Sequence, residues 1–449
     1  MIEQRLSIKR PLAIFVVLAS CSDAPDAARS SAASAPVQRD AAADPRSLAA
    51  MSGTPTTGTQ QPMSASGPAE PAPATAQGGA ASSPQSSSDN TGASANAFDA
   101  GGASAPVSDG SAAAAAAAPL TPEQLQAECG VAPPGLAPHI ATIQSSKTPE
   151  VQLSIAIQGD PAHPPVVLLH GFPDFWCGWA PVIPELAKRY YVLAPDMRGY
   201  NRSSKPGNPD DPQDLAAYML PELERDLADI VHHAAMQTQQ KVSVVAHDWG
   251  AIVAWPFAHD YPEELSKLMA ISVSHPRALS KFLASGDPAL RSAQTEQTQA
   301  LGYISELVMN DSPAQFSADG YKKLFDSLDQ KHLHKKDAFP EAEREAYKRM
   351  WDADDQASFK SQIKYYRANF GASGGGAQTS EQITPVPTAF IAPVYDGAIL
   401  YPHSMDYLRE HVAQEQPVLL RPIATGHFPQ REEPALLASM IDQFLSVDW

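Results

Sequence analysis

Cysteine is scarce in this sequence: three thiols in 449 residues, Cys21, Cys129 and Cys177. Their spacing matches no zinc site, and neither a metal nor any other cofactor is expected. Positive charge is also short. Lys and Arg number 32 against 50 Asp and Glu, a net charge of −18, which argues against nucleic acid or an anionic lipid surface as a partner. The apolar run Pro11 to Ala19 falls well short of the ~20 residues needed to cross a bilayer. A G-x-S-x-G elbow is missing, which removes the signature of a serine esterase. Residues 22–120 hold few aromatic or branched apolar side chains and are mostly Ala, Ser, Gly, Pro, Thr and Gln. Such a stretch cannot bury enough apolar surface to offset its ordering entropy and reads as a disordered linker.

The first 21 residues read as an export signal. Arg5, Lys9 and Arg10 precede the short apolar run, and Leu18-Ala19-Ser20-Cys21 resembles a bacterial lipobox. The expectation is an exported lipoprotein, tethered through lipid on Cys21 in the cell envelope (periplasm), with that lipid as its only membrane contact. Ordinary cleavage and free secretion is the alternative. Export would leave Cys129 and Cys177 where disulfides persist. A bridge between them would stabilise the fold by about 4 kcal/mol in the chain-entropy model; two free buried thiols are the other reading.

From about residue 150 apolar strands alternate with amphipathic helices, the pattern of one α/β domain with a mostly parallel sheet, here assigned to 121–449. Val151 to Ile157 alternates like an edge strand. Val166 to Leu169 and Tyr190 to Ala194 are apolar throughout, like central strands covered on both faces. Helices are expected over Trp179 to Lys188 and Leu215 to Ala235. Val242 to Trp255 then reads as a strand, a sharp turn at Asp248 and a helix, with Ala246, Gly250 and Ala251 small enough for the chain to fold back tightly. The turn presents a carboxylate, which suits displacement at an sp³ carbon to give an alkyl ester that water can hydrolyse. A helix cap is the plainer reading of Asp248. Strand character stops between Arg277 and Phe370 and helices take over, as in an inserted lid.

Four ordered stretches, HGFPDFWCGW from His170, DMRGYNRSSKP from Asp196, VVAHDWGAIVAW from Val244 and TGHFPQREEP from Thr425, resemble the epoxide hydrolases of the α/β-hydrolase fold and are close also to the haloalkane dehalogenases. Asn201 stands where that family usually has glycine, and Ala246 and Ala251 where glycine is frequent. Asparagine tolerates positive φ, and both alanines are small.

The resemblance implies a site. Asp248 is the nucleophile. His427, in the loop after the strand Pro417 to Ile423, is the base that activates water, with His403 a poorer candidate. Asp396, after the strand Thr388 to Ala392, orients that histidine; Asp406 is the substitute if the unusual Ala392-Pro393 context moves the acid. The backbone N–H groups of Phe172 and Trp249 form the oxyanion hole, and the Phe172–Pro173 bond is expected to be cis. Tyr303 and Tyr366 hold the epoxide oxygen from the lid, with Tyr365 a register rival. The implied substrates are a small hydrophobic epoxide and water, giving a vicinal diol. Hydrolytic dehalogenation with the same Asp-His-Asp set, using Trp249 and Trp351 as halide donors, is the alternative, and a catalytically idle fold serving as a binding module is a third reading. Oligomeric state is not written in the sequence.

Overall fold

The computed structural model describes residues 117–370 and 383–449, so the expected signal over 1–21, lipidation of Cys21 and the linker up to residue 116 lie outside the described residues. Eight strands form one sheet: β1 (His139–Gln144), β2 (Gln152–Gln158), β3 (Pro165–Leu169), β4 (Tyr191–Pro195), β5 (Val242–His247), β6 (Leu265–Ile271), β7 (Thr388–Pro393) and β8 (Val418–Ile423). They lie in the order β1-β2-β4-β3-β5-β6-β7-β8. The pairs β1/β2 and β2/β4 are antiparallel and all others are parallel. Strands β3, β4, β5 and β7 are buried along their whole length, which is why their sequences are runs of apolar residues rather than alternations.

Chain order reverses beside β3. From β3 the chain moves to β4 on one side and then crosses to β5 on the other, so the loops leaving β3 and β5 diverge at their carboxyl ends. That crevice is where an open α/β sheet binds ligand.

Three expectations need correction. The segment expected at the sheet edge, Val151 to Ile157, lies one strand in, because β1 pairs outside β2. The helix expected over Trp179 to Lys188 is a 3-10 turn at Trp176–Trp179 and a single α-turn at Ile183–Leu186, since Pro181 and Pro184 cannot donate within a continuous helix. The helix expected from Leu215 begins as a 3-10 turn at Ala216–Tyr218 and restarts at Leu220–Thr238. Met219 is extended, and Pro221 sits in the first turn, where its missing N–H costs nothing.

The lid runs from the helix Pro276–Ala284 to Glu341–Phe370, whose two helical pieces meet at Ala353 to Gln356. Among the described residues no helix is long and apolar enough to cross a membrane. At the start of the domain, the helix Pro122–Cys129 is closed by a reciprocal cap between Thr121 and Gln124 and ends at Gly130 with φ 73°. A disulfide joins Cys129 to Cys177, Cα atoms 5.3 Å apart. Leu120, at the expected end of the linker, already donates its N–H to the Pro138 carbonyl at 2.8 Å.

Candidate active site

Asp248 follows β5 directly and precedes the helix Trp249–Asp260, with φ 53° and ψ −119°. Non-glycine residues rarely adopt such a backbone, and packing on all sides is needed to hold it. Two glycines permit that packing. A Cβ on Gly250 would sit 2.6 Å from the Leu169 carbonyl oxygen, and one on Gly171 would sit 2.3 Å from Asp248 Oδ1 and 2.6 Å from the Trp249 nitrogen. The Asp248 side chain makes no bond to the helix it precedes, which removes the helix-cap reading. Its Oδ1 instead accepts the Phe172 N–H at 2.7 Å. The Phe172–Pro173 bond is cis, and the Trp249 nitrogen and Asp248 Oδ1 both lie against Gly171.

His427 follows β8 and faces both carboxylates. Its Nδ1 lies 2.8 Å from Asp396 Oδ2, and its Nε2 lies 3.5 Å from Asp248 Oδ2. Asp396 is fixed in turn, because its Oδ1 accepts the N–H groups of Ala398 at 2.7 Å and Ile399 at 3.2 Å. Burial alone would push the imidazole down, but the charges of Asp396 and Asp248 outweigh it and hold His427 up at about 10. Burial would likewise raise Asp248, yet its bond to His427 and the imidazolium charge keep it below the ordinary carboxylate range. The resting pair is therefore an ion pair.

The lid supplies two phenols. Tyr303 and Tyr366 line a cavity of about 970 Å³ together with Asp248, His427 and Phe172, their rings 6.3 Å apart and nearly perpendicular. Tyr366 packs edge-on against Phe172 at 5.3 Å and Trp249 at 5.1 Å. Burial, and then the nearby charge of Asp248, raises the pKa of Tyr303; burial, Tyr303 and Asp248 do the same for Tyr366. Both keep their protons and can donate them.

The rival residues are placed elsewhere. Tyr365 donates its hydroxyl to the Arg198 carbonyl at 2.7 Å. His403 and Asp406 pair with each other at 2.7 Å, outside the cavity lining. Trp351 packs against Tyr321 and Phe359, with ring centroids 4.8 and 5.5 Å away, and does not line the cavity, so it cannot be the second halide donor. Asn201 has φ 38° and spans Asp196 and Glu128 with its amide. Among the described residues no group of His, Cys, Asp and Glu could hold a metal ion.

Sequence reasoning missed a polar scaffold beneath the site. The His247 Nε2–H donates to the His427 carbonyl at 2.8 Å, and its Nδ1 accepts from Gln430 at 3.2 Å. Burial, with the charge of His427, lowers His247 to about 4 and keeps the ring neutral in that tautomer. Gln430 also reaches Asp174, which with Glu343 and Tyr347 surrounds the buried Arg431. This network ties the loop after β3, the loop after β8 and the lid together. His247, Asp174, Gln430 and Arg431 all stand inside the quoted motifs, so the signal was present. His332, a lid residue lining the cavity, lies in no motif.

A family model for the alpha/beta hydrolase fold matches residues 164–434. Epoxide hydrolase 1 of Caenorhabditis elegans is 30% identical over 302 residues, 67% of this chain and 69% of that protein. Epoxide hydrolase B of Mycobacterium tuberculosis (strain ATCC 25618 / H37Rv) is 42% identical over a shorter stretch of 115 residues, 25% of this chain and 30% of that protein. Among solved structures, Bacillus megaterium epoxide hydrolase in complex with an inhibitor superposes with a TM-score of 0.56 at 24% identity, covering 68% of this chain and all of that one. At that identity the likeness bears on the fold.

Proposed function

Because the chain belongs to the α/β-hydrolase fold family, and within it to the epoxide hydrolases, we propose that it opens a small hydrophobic epoxide to a vicinal diol through a covalent ester on Asp248. Asp248 Oδ2 attacks a ring carbon, the carbon–oxygen bond breaks, the released oxygen takes a proton from Tyr303 or Tyr366, and the phenolate so formed is reprotonated at the expense of the His427 imidazolium, which leaves that ring neutral. Water then gives a proton to His427 Nε2 and adds to the ester carbon, placing negative charge on Oδ1, where the Phe172 and Trp249 N–H groups receive it. Collapse expels the diol, which carries away the original Oδ2 and takes the proton that His427 received, and the acid proton left on Asp248 returns to His427 to restore the ion pair.

The observation that supports this reading most strongly is the division of labour within one carboxylate: Oδ1 is held by the Phe172 N–H at 2.7 Å, while Oδ2 faces His427 at 3.5 Å. Ester formation also switches the base on. It removes the Asp248 charge, one of the two that hold the imidazole protonated, so His427 becomes able to take a proton only once the ester exists.

Dehalogenation would need a cradle of two donors. Neither indole lines the cavity: Trp249 packs edge-on against Tyr366, and Trp351 is packed away. The test is to assay aryl epoxides and haloalkanes with the wild type, Asp248→Ala and the double variant Tyr303→Phe/Tyr366→Phe. Diol formation lost in both variants supports the reading. Halide release that survives the tyrosine changes supports dehalogenation, and turnover of neither substrate class supports a binding module.

We further propose export and tethering through Cys21. The Cys129–Cys177 bridge favours an oxidising compartment. Mass spectrometry of the mature N-terminus would find either a lipidated Cys21 or an unmodified new terminus, the second of which contradicts tethering.

A further inference from the structure

One side chain on the cavity wall is left unused by this reaction. The lid meets the catalytic loop at a π-helical turn, Leu328–His332. The His332 carbonyl accepts the His427 N–H at 2.7 Å. Gly426 fits beneath it, since a Cβ there would lie 2.4 Å from the His332 oxygen and 2.7 Å from the His334 nitrogen. Glu432 Oε2 accepts the N–H groups of His334 at 3.0 Å and Lys335 at 2.8 Å. Main-chain bonds and one buried carboxylate thus register this segment against His427, and the His332 ring needs no bond of its own to stay in place.

The ring has none. It lines the cavity beside Asp248, Tyr303, Tyr366 and His427 and is nine-tenths buried. It stands edge-on to Tyr303 at 5.8 Å and to His427 at 6.0 Å between centroids. Neither ring nitrogen hydrogen-bonds to a described residue. Burial, then the His427 charge, lowers its pKa to about 4. It is therefore a neutral imidazole, with one N–H donor and one acceptor on a ring that lines the cavity. A polar group on a cavity wall finds its partner in water or in the ligand that displaces it.

We propose that His332 is a substrate-contacting residue that selects epoxides carrying a hydroxyl on the carbon next to the ring. The proposal rests on the epoxide-opening reading. With the epoxide oxygen held at Tyr303, the adjoining substrate carbons come within reach of the neighbouring His332 ring, and a hydroxyl there can bond the one ring nitrogen that faces it in either tautomer, donating to it or accepting from it. A site built to bond a hydroxyl rejects the analogue lacking it far more strongly than an apolar wall rejects a methylene.

The experiment compares kcat/KM for 3-phenylglycidol and for 1-phenyl-1,2-epoxybutane, which has a methyl in place of the hydroxyl, with the wild type, His332→Phe and His332→Gln. The wild type is expected to prefer the hydroxyl substrate by at least about tenfold. His332→Phe should bring that ratio close to one, mainly through KM, while His332→Gln, which keeps a donor and an acceptor, retains part of it. His332→Leu replaces the Phe variant if the latter does not fold. A wild-type ratio near one, or a ratio that the apolar variants leave in place, overturns the role of His332 while leaving the reaction intact. No diol from either epoxide with the wild type overturns the reaction itself, and this proposal with it.

Discussion

The two oxygens of Asp248 have different surroundings, and the proposed reaction assigns them different fates. The phenols act on the first half of that reaction only. Tyr303→Phe and Tyr366→Phe should each slow ring opening by about 10- to 100-fold, the size of a lost hydrogen bond to a charged oxygen. Rapid-mixing kinetics should show slower ester formation with ester hydrolysis unchanged; a slowed second step would contradict the assignment. Asp396→Asn acts on the other half. It removes the first of the charges that hold His427 up, so the alkylated intermediate should accumulate in the steady state and kcat should fall by about 10² or more.

At this scale the sequence was informative where chemistry restricts the choice. A carboxylate at an elbow, a late histidine in a loop and an acid after the preceding strand leave few options. It was mute where register decides. Tyr365 and Tyr366 are adjacent, and only packing shows that one bonds to the Arg198 carbonyl while the other lines the cavity. His332 was invisible because its position depends on how the lid folds back onto the His427 loop.

Elements were legible to the extent that their signals are local. The buried strands β3, β4, β5 and β7 read correctly from their apolar runs, whereas the central β6 (Leu265–Ile271) was not singled out. Helix limits failed at Pro181, Pro184 and Pro221, where a local rule outweighed the apolar periodicity. β1 was missed because His139-Ile-Ala-Thr-Ile-Gln144 has no strong apolar face, and its strand state comes from pairing along the whole of β2. The disulfide fastens the first helix to the turn after β3, 48 residues on in sequence. Replacing both Cys129 and Cys177 with alanine should lower the unfolding free energy by about 4 kcal/mol in the entropy model, read as a shifted urea midpoint. Kinetic constants should move little, because neither cysteine lines the cavity. A large loss of kcat at full folding would show that the bridge positions the site.

For the whole molecule, buried titratable groups set the pH range of stability. His427 is raised to about 10, so its contribution is complete below the unfolded value near 6.5 and is lost as pH rises through 10. Burial raises Glu224 to about 8 and Asp196 to about 7, so their contributions are complete below the unfolded carboxyl values near 4 and are lost as pH rises through those raised values. His247 and His275 are lowered to about 4 and about 3, so theirs are complete above about 6.5 and are lost as pH falls toward those values. Below about 6.5 the two sets oppose each other. Above it only losses remain. Urea midpoints should therefore fall between pH 6 and pH 9, and His427→Gln should flatten that slope; a midpoint that rises over this range would contradict the ion-pair description of the site.

The same substitution tests the central claim most directly. His427→Gln, mixed with a phenyl-substituted epoxide and digested, should yield the peptide containing Asp248 with its mass increased by that of the whole epoxide, because ring opening proceeds and the ester is no longer hydrolysed. An unmodified peptide, from a folded variant that still releases diol, would contradict a covalent ester on Asp248.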